Sequence, residues 1–216
     1  MKEITPITSQ SKAVKWVENA DKIILHLCAS KYGSDTLDYV AAGYDVRLIT
    51  EEVDVRTYHP PKNVYGIIAN PPCTMFSIAR SSHAKIPRDL EVGMELVKEC
   101  LRVIWECQYD LEDRKLRPPL KFWALENPAT GMLRYFLGKP AFEYSPDQFG
   151  AAHTKRTALW GIFNEPIRPL MRNTLLKGQD MSSIVNPMNA RNRRERTDLR
   201  SIASPFFTKA FFLANQ

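Results

Sequence analysis

The chain has 216 residues, 44% of them hydrophobic and 25% charged, with a formal net charge of +6. This composition predicts a packed globular core, and no apolar run is long enough to predict a membrane-spanning helix. The four cysteines form no CxxC pair and have no zinc-ligand spacing, which predicts free thiols in a reducing cytoplasm. The first sixteen residues contain no apolar signal-peptide region, so no signal peptide is expected.

Strand-like and helix-like segments alternate along most of the chain. The predicted strands are residues 22–29, 44–50, 65–70, 120–128 and 157–163. The predicted helices are 34–43, 87–111 and about 206–214. Such alternation predicts an open, mostly parallel α/β sheet with right-handed crossovers. Sheets of this kind bind ligands at the carboxyl ends of their strands.

The positive charge is concentrated in the last third of the chain. Residues 151–216 hold 11 Lys and Arg against 4 Asp and Glu, most densely in residues 190–200. A one-sided basic region suits a polyanion such as nucleic acid. A solvated loop or helix surface that contacts nothing is the alternative interpretation.

Two reactive side chains follow predicted strands. Cys73 comes directly after Asn70, Pro71 and Pro72, and Glu126 is followed by Asn127 and a proline. Each proline fixes its own φ and restricts the residue before it, which predicts stiff loops that aim these side chains. A thiol and a carboxyl group side by side suit covalent addition assisted by proton transfer.

Each of these residues also has a simpler explanation when it is taken alone. A single cysteine is usually a small buried apolar side chain, and a single glutamate usually forms a surface ion pair. The hypothesis of a catalytic site therefore depends on the two residues occurring together, at equivalent positions of one sheet.

The motifs "PPCTMFS" (71–77) and "ENP" (126–128) resemble the catalytic loop and the Glu-Asn segment of the DNA cytosine-5 methyltransferases. "FGAAHTKRTALWGI" (149–162) and "RSIASPFFTKAFFLAN" (200–215) resemble later segments of that family, in the same order. The resemblance covers nearly the whole chain and is stronger still to short phage and prophage members of the family. It implies a Rossmann-like methyltransferase fold with helices on both faces of the sheet.

The resemblance implies a role for each matching residue. Cys73 would add to carbon 6 of cytosine, and Glu126 would contact ring nitrogen 3. Lys155 stands at the first arginine of the family's Gln-x-Arg-x-Arg segment and would donate a cationic hydrogen bond to the cytosine carbonyl. Further substrate contacts are implied for Pro72, Ser77, Asn127, His153, Arg156, Arg191, Arg193 and Arg194.

The cofactor implied by the resemblance is S-adenosylmethionine, and no metal is expected. Its site would include Ala29, Ser30, Gly33, Glu51, Glu52, Asp54, Asn70 and Pro71. The family has a glycine-rich turn after its first strand, because glycine permits both positive φ and close backbone approach. Residues 26–36 keep only Gly33, and Ser30, Lys31 and Tyr32 occupy the region of two further glycines.

The predicted organisation is a methyltransferase-like core (1–163), an irregular basic segment (164–204) and a C-terminal helix that returns to the core (205–216). About 40 residues between the last strand and the final helix are few for a separate target-recognition domain. We therefore expect DNA to be the partner, with low sequence specificity, since phosphate contacts carry little sequence information. An accessory or host protein is a further possible partner, and no membrane partner is expected.

Three functions remain open at this point. The first is an active cytosine-5 methyltransferase on DNA, supported by the intact Cys73 and Glu126 motifs. The second is a non-catalytic relative that binds nucleic acid or a host protein, supported by the altered glycine turn. The third is an enzyme that uses the same pair on a free pyrimidine nucleotide, suggested by the absence of a recognition domain.

Overall fold

The computed structural model describes residues 19–31, 33–78, 87–110, 115–116, 120–151, 153–169, 179–180 and 202–216. Six strands form the main sheet: β1 (Ile23–Leu27), β2 (Asp45–Ile49), β3 (Val64–Ala69), β6 (Phe122–Pro128), β7 (Phe142–Tyr144) and β9 (Thr157–Ile162). Two short pairs lie outside it: β4 (Tyr109–Asp110) with β5 (Lys115–Leu116), and β8 (His153–Thr154) with β10 (Gln179–Asp180). The α-helices are α1 (Leu37–Ala41), α2 (Leu90–Gln108), α3 (Arg134–Leu137) and α4 (Pro205–Ala214).

The main sheet is mixed, in the order β2-β1-β3-β6-β9-β7. Strand β1 pairs in parallel with both β2 and β3, and β3 pairs in parallel with β6. Strand β9 is antiparallel to both of its neighbours, β6 and β7. Five strands of this sheet therefore run in one direction and β9 runs in the other. The predicted α/β class is confirmed, but the antiparallel strand and β7 were not foreseen from the sequence.

Helices cover both faces of the sheet. On one face, α2 buries an apolar stripe against β1, β3 and β6; the stripe comprises Val97, Cys100, Val103, Ile104 and Cys107. On the other face, Tyr39 of α1 and three phenylalanines of α4 pack into an aromatic cluster. All five residues of β1 are buried, as expected for a strand covered on both faces.

The predicted segments differ from the structure mainly at their ends. The long helix begins at Leu90, where the Asp89 side chain accepts a hydrogen bond from the backbone N–H of Val92. The segment predicted as a helix over 34–43 begins as a 3-10 turn at Ser34–Thr36 and is α-helical only over Leu37–Ala41. The sequence predicts Ser34 or Asp35 as the N-cap of this helix, which is wrong, because Gly33 precedes the turn and no side chain caps it.

Aromatic packing of α4 and hydrogen bonds of the residue that follows it hold the C-terminal segment against the rest of the fold. Phe207 stacks on Tyr144 with ring centroids 3.6 Å apart. The side chain of Asn215 accepts a hydrogen bond from the backbone N–H of Asn164 and donates one to its carbonyl. The basic segment predicted over 164–204 lies mostly outside the described residues.

We expect Gly161→Ala to destabilise the protein more than Gly138→Ala. Both glycines have positive φ, +150° and +75°, so alanine costs on the order of 1 kcal/mol at either position. At Gly161 an added Cβ would also lie 2.0 Å from the Trp123 carbonyl oxygen, whereas at Gly138 it would meet nothing within 4 Å. Overpacking adds roughly 1–3 kcal/mol at Gly161, which thermal unfolding of the two variants would measure. Equal losses of stability would contradict the β6–β9 packing.

Candidate active site

The carboxyl ends of β1, β3 and β6 meet at one edge of the sheet, and the predicted catalytic residues lie there. Strands β3 and β6 are hydrogen-bonded neighbours, with Ala69 opposite Leu125. Cys73 follows β3 by four residues, and Glu126 lies near the end of β6. The structure therefore brings together two residues that are 53 positions apart in the sequence.

The loop that carries Cys73 is held by backbone hydrogen bonds at both ends. Before the cysteine, the buried Pro71 offers its carbonyl to the Asn127 side-chain amide at 3.0 Å. After it, the Cys73 carbonyl accepts hydrogen bonds from the N–H groups of Phe76 and Ser77, at 2.9 and 2.8 Å. The Phe76 carbonyl in turn accepts from Met132 N–H at 2.9 Å. These contacts fix the backbone on either side of the half-buried thiol.

Glu126 and Lys155 form an ion pair beside this loop. The Lys155 Nζ lies 3.6 Å from Glu126 Oε1, and the two side chains are 30% and 19% exposed. Burial raises the pKa of Glu126 above its ordinary value, although Lys155 opposes the shift. Glu126 raises the pKa of Lys155, and Asp35 and Cys73 add to that effect. The thiol, the carboxyl group and the ammonium group therefore share one electrostatic environment.

The direction of β9 explains why Lys155 reaches Glu126. Because β9 is antiparallel to β6, it begins where β6 ends, with Thr157 opposite Pro128. Residues just before β9 therefore lie at the same edge of the sheet as the end of β6. The Lys155 carbonyl accepts a hydrogen bond from the Thr157 hydroxyl, and its N–H donates to the Ser145 hydroxyl.

Asp35 is a member of this site that sequence reasoning missed. Its carboxylate accepts hydrogen bonds from the Asn70 side-chain amide at 3.2 Å and from the Ser34 hydroxyl at 3.3 Å. It lies 3.9 Å from Nε2 of the buried His26, whose pKa is lowered by burial. The available signal was its position in the segment that follows the first strand, at the edge where parallel sheets bind ligands.

A small cavity lies between Asp35 and Glu126. Its walls include Tyr144, Phe207 and Phe211, and its volume is about 20 Å³. That is room for about one water molecule. Burial in this apolar surround raises the pKa of Tyr144 well above its ordinary value, and the nearby carboxyl groups of Glu126 and Asp35 raise it further.

A much larger cleft, of about 770 Å³, opens between the ends of β1 and β2 and the Cys73 loop. This volume lies within the range of roughly 300–1,000 Å³ that small-molecule sites occupy. Five of the predicted cofactor residues line it: Ala29, Ser30, Glu51, Glu52 and Asp54. Pro72 also lines the cleft, so it extends to the residue that precedes the candidate nucleophile.

The remaining three predicted cofactor residues are not among those that line the cleft. Gly33, with φ +53°, forms the turn before the 3-10 segment. Asn70 holds Asp35 through its side-chain amide, and Pro71 is buried against Asn127. Direct contact of these residues with the cofactor stays a prediction, and in the structure they shape the backbone between the cleft and Cys73.

The chemistry of the cleft suits a polar ligand with hydroxyl groups. Glu51, Glu52 and Asp54 place carboxylates on the side that follows β2. Asp54 accepts hydrogen bonds from Arg56 at 2.9 and 3.0 Å, and these lower its pKa. The Ser30 Oγ is buried and has no hydrogen-bond partner among the residues that the structure describes. Carboxylates that face a cleft are suitable acceptors for ribose hydroxyls.

Two thiols meet at the wall of the cleft. Cys28 Sγ lies 3.6 Å from Cys100 Sγ of α2, and Cys28 adopts a left-handed backbone with φ +52°. Cys100 and Cys107 are buried in the apolar stripe of α2, as predicted for packing residues. Within the part of the chain that the structure describes, no cluster of three or more His, Cys, Asp or Glu side chains is arranged to hold a metal ion.

The predicted substrate-binding residues fall into different settings. Asn127 is fully buried and its side-chain amide donates a hydrogen bond to the Pro71 carbonyl, while its contact with substrate stays a prediction. Arg156 is mostly exposed and pairs with Glu143 at 3.3 Å. His153 is partly buried, with its pKa lowered by burial and by Lys155. Arg191, Arg193 and Arg194 lie outside the described residues.

In comparisons with protein-family models and with curated proteins, the chain matches no family and no relative. Among the described residues, the helices are all too short or too polar to cross a bilayer.

Proposed function

We propose that this protein methylates carbon 5 of cytosine in DNA, using S-adenosylmethionine. One observation carries the proposal: the Cys73 loop and the Glu126–Lys155 pair meet at one sheet edge, next to the 770 Å³ cleft. A thiol beside a carboxyl group and a cation suits nucleophilic addition to an electron-poor ring. The mixed α/β sheet with helices on both faces is compatible with a Rossmann-like methyltransferase fold.

The proposed reaction begins with covalent addition. The Cys73 sulfur forms a bond to carbon 6 of the cytosine, and the electron pair of the carbon 5–6 double bond shifts into the ring. Burial raises the pKa of Glu126, and in its protonated form the carboxyl group would donate a hydrogen bond to ring nitrogen 3 and stabilise the negative charge that develops there. Lys155 donates to the cytosine carbonyl oxygen, which adds a second stabilising contact.

The remaining steps restore the ring. S-adenosylmethionine, when bound, would supply an electrophilic methyl group, which takes the electron pair of carbon 5 as its bond to the sulfonium sulfur breaks and the demethylated cofactor is released. The proton on carbon 5 then leaves to solvent, its electron pair reforms the double bond, and the Cys73 thiolate is expelled. The rigid backbone around Cys73 holds the sulfur in place for both the addition and the expulsion.

The carboxylate and hydroxyl groups that line the cleft suit the cofactor. Glu51 and Glu52 would accept hydrogen bonds from the ribose hydroxyls, and Asp54 would lie near the adenine. Ser30 offers a buried hydroxyl that has no hydrogen-bond partner in the described part of the chain, and a polar ligand would satisfy it. Pro72 joins this wall to the Cys73 loop, so a ligand that fills the cleft would end beside the thiol.

DNA is the substrate that we propose, and it would have to present an extruded base. In a duplex, stacking covers the face of the cytosine that Cys73 attacks, so the base must leave the helix. Methyl transfer should therefore be compared on single-stranded DNA, duplex DNA and deoxycytidine nucleotides. Activity on the nucleotide alone would replace DNA with a free pyrimidine nucleotide as the substrate.

We expect S-adenosylmethionine to bind the purified protein with micromolar affinity, and Glu51→Gln to weaken that binding about tenfold. The loss corresponds to one charge-assisted hydrogen bond, on the order of 1.5 kcal/mol. Isothermal titration calorimetry measures both affinities without any assumption about the DNA. Glu165→Gln is a matched control, because Glu165 is exposed and does not line the cleft. A folded wild-type protein that released no binding heat would contradict the proposed cofactor.

A further inference from the structure

Arg88 contacts the Cys73 loop from the start of α2. It stands directly before Asp89, the residue that caps the helix. Its Nη1 donates to the Met75 carbonyl at 2.5 Å and to the Ser77 carbonyl at 3.2 Å, and its Nη2 also donates to the Ser77 carbonyl at 3.2 Å. One guanidinium group therefore binds two carbonyls of the loop that carries the thiol.

The first turn of α2 also packs closely against this loop. At Gly93, an added Cβ would lie 2.7 Å from the Met75 Cβ and 3.0 Å from the Phe76 ring. The helix can approach so closely only because residue 93 has no side chain. Arg88 and Gly93 thus join the loop to a rigid, 19-residue helix by polar and steric contact together.

The contact geometry places Arg88 at the far end of the Cys73 turn. The Cys73 carbonyl is bonded to the N–H groups of Phe76 and Ser77, so residues 73–77 form one compact turn. Asn127 anchors the chain before that turn through Pro71, and Arg88 anchors its end through Ser77. The thiol lies between these two anchors.

We propose that Arg88 is a positioning residue, which sets the direction of the Cys73 thiol by holding the Met75 and Ser77 carbonyls. The inference rests on the proposed function of Cys73 as a nucleophile. The planar guanidinium group can bind both carbonyls at once, whereas a lysine ammonium offers a single point of charge and no fixed fork. Releasing one carbonyl lets the turn shift, and a displacement of about 1 Å at a reacting atom can cost about 10²-fold in rate.

Arg88→Lys is expected to lower kcat for methyl transfer by about 10- to 10²-fold, with the dissociation constant for S-adenosylmethionine unchanged. It should also raise the rate at which iodoacetamide alkylates Cys73 several-fold, because the half-buried thiol becomes more accessible. Peptide mass spectrometry follows that alkylation at Cys73 without any DNA or cofactor. Guanidinium ion at millimolar concentration should partly restore kcat in Arg88→Ala, which a merely structural role would not produce.

Arg102→Lys is the matched control. Arg102 lies on the same helix, and its guanidinium also binds backbone carbonyls, those of Val55, Arg56 and Tyr58, but in the loop that follows β2 and not in the Cys73 loop. We expect its Cys73 alkylation rate to equal that of the wild type. Gly93→Ala, which pushes Met75 away while Arg88 is intact, should accelerate alkylation as Arg88→Lys does.

The outcomes separate this inference from the proposed function. Unchanged alkylation in Arg88→Lys and Gly93→Ala, or equal acceleration in Arg102→Lys, would overturn the positioning role. If the wild type transfers no methyl group, but Arg88→Lys accelerates alkylation and Arg102→Lys does not, the positioning of Cys73 stands and the proposed reaction fails.

Discussion

Replacing Cys73 with serine should lower methyl transfer at least about 10³-fold, because a serine hydroxyl is far less nucleophilic than a thiolate. The substitution removes one sulfur atom and leaves the backbone hydrogen bonds at the Cys73 carbonyl in place. S-adenosylmethionine binding should therefore persist, since Cys73 does not line the cleft. Transfer of a deuterium-labelled methyl group to DNA, measured by mass spectrometry of the nucleosides, gives the rate.

Cys107→Ala provides the control for this experiment. Cys107 is buried on α2, in the apolar core below the sheet, and has no place in the proposed reaction. Its replacement should lower thermal stability slightly and keep the rate of methyl transfer. A Cys73→Ser protein that methylates DNA at the wild-type rate would show that the reaction does not pass through this thiol.

Replacing Glu126 with alanine should lower the rate by about 10²- to 10⁴-fold, the usual contribution of a positioned proton donor. Glutamine keeps a neutral hydrogen-bond donor, so Glu126→Gln should retain more activity than the alanine variant. Because burial raises the pKa of Glu126, the wild-type carboxyl group remains protonated to a higher pH than an exposed one. The wild-type rate should fall as pH rises through that raised pKa, and Glu126→Gln should lose this alkaline decline.

Two neighbouring charges should move the alkaline decline in opposite directions. Lys155 lowers the pKa of Glu126 and Asp35 raises it, while burial remains the largest cause of its shift. Lys155→Met should therefore move the decline to higher pH, and Asp35→Asn should move it to lower pH. The pH dependence of kcat for the two variants measures both shifts. Shifts in the same direction would contradict the assignment of the alkaline decline to Glu126.

Apolar runs and the prolines that end some of them were enough to predict most strands of the main sheet. Apolar runs predicted β1 and β2, and runs that end at Pro71 and Pro128 predicted β3 and β6, each within a few residues of its ends. Proline explains much of this success, since it cannot donate to a sheet and so marks where a strand must stop. Strand β7 was missed because its three residues are too few to show a period.

The proximity of Glu126 to Lys155 depends on the direction of strand β9, which the periodicity of apolar residues does not predict. An apolar run predicts a strand but not its direction, and only the antiparallel direction of β9 brings residue 155 to the end of β6. The sequence resemblance suggested the role of Lys155, and strand direction supplies the physical reason for its position.

The contacts of Asp35 and Arg88 could not be predicted from local pattern. Asp35 reads as a helix cap in the sequence, yet its carboxylate accepts from Asn70, 35 residues away, across the end of the sheet. Arg88 has no distinguishing motif around it in the sequence, yet it binds the carbonyls of residues 11 and 13 positions earlier. Long-range contacts of this kind depend on how the elements pack.

The most direct test of the central claim is a search for a covalent bond between Cys73 and cytosine. Fluorine at carbon 5 cannot leave as a proton, so an oligonucleotide that contains 5-fluorocytosine should block the final elimination and preserve the adduct. We expect the wild-type protein, incubated with S-adenosylmethionine and such oligonucleotides of mixed flanking sequence, to gain the mass of one oligonucleotide plus one methyl group. Peptide mapping should place that mass on Cys73. A protein that binds both S-adenosylmethionine and the oligonucleotide but forms no covalent species, or forms one at another residue, would contradict the account.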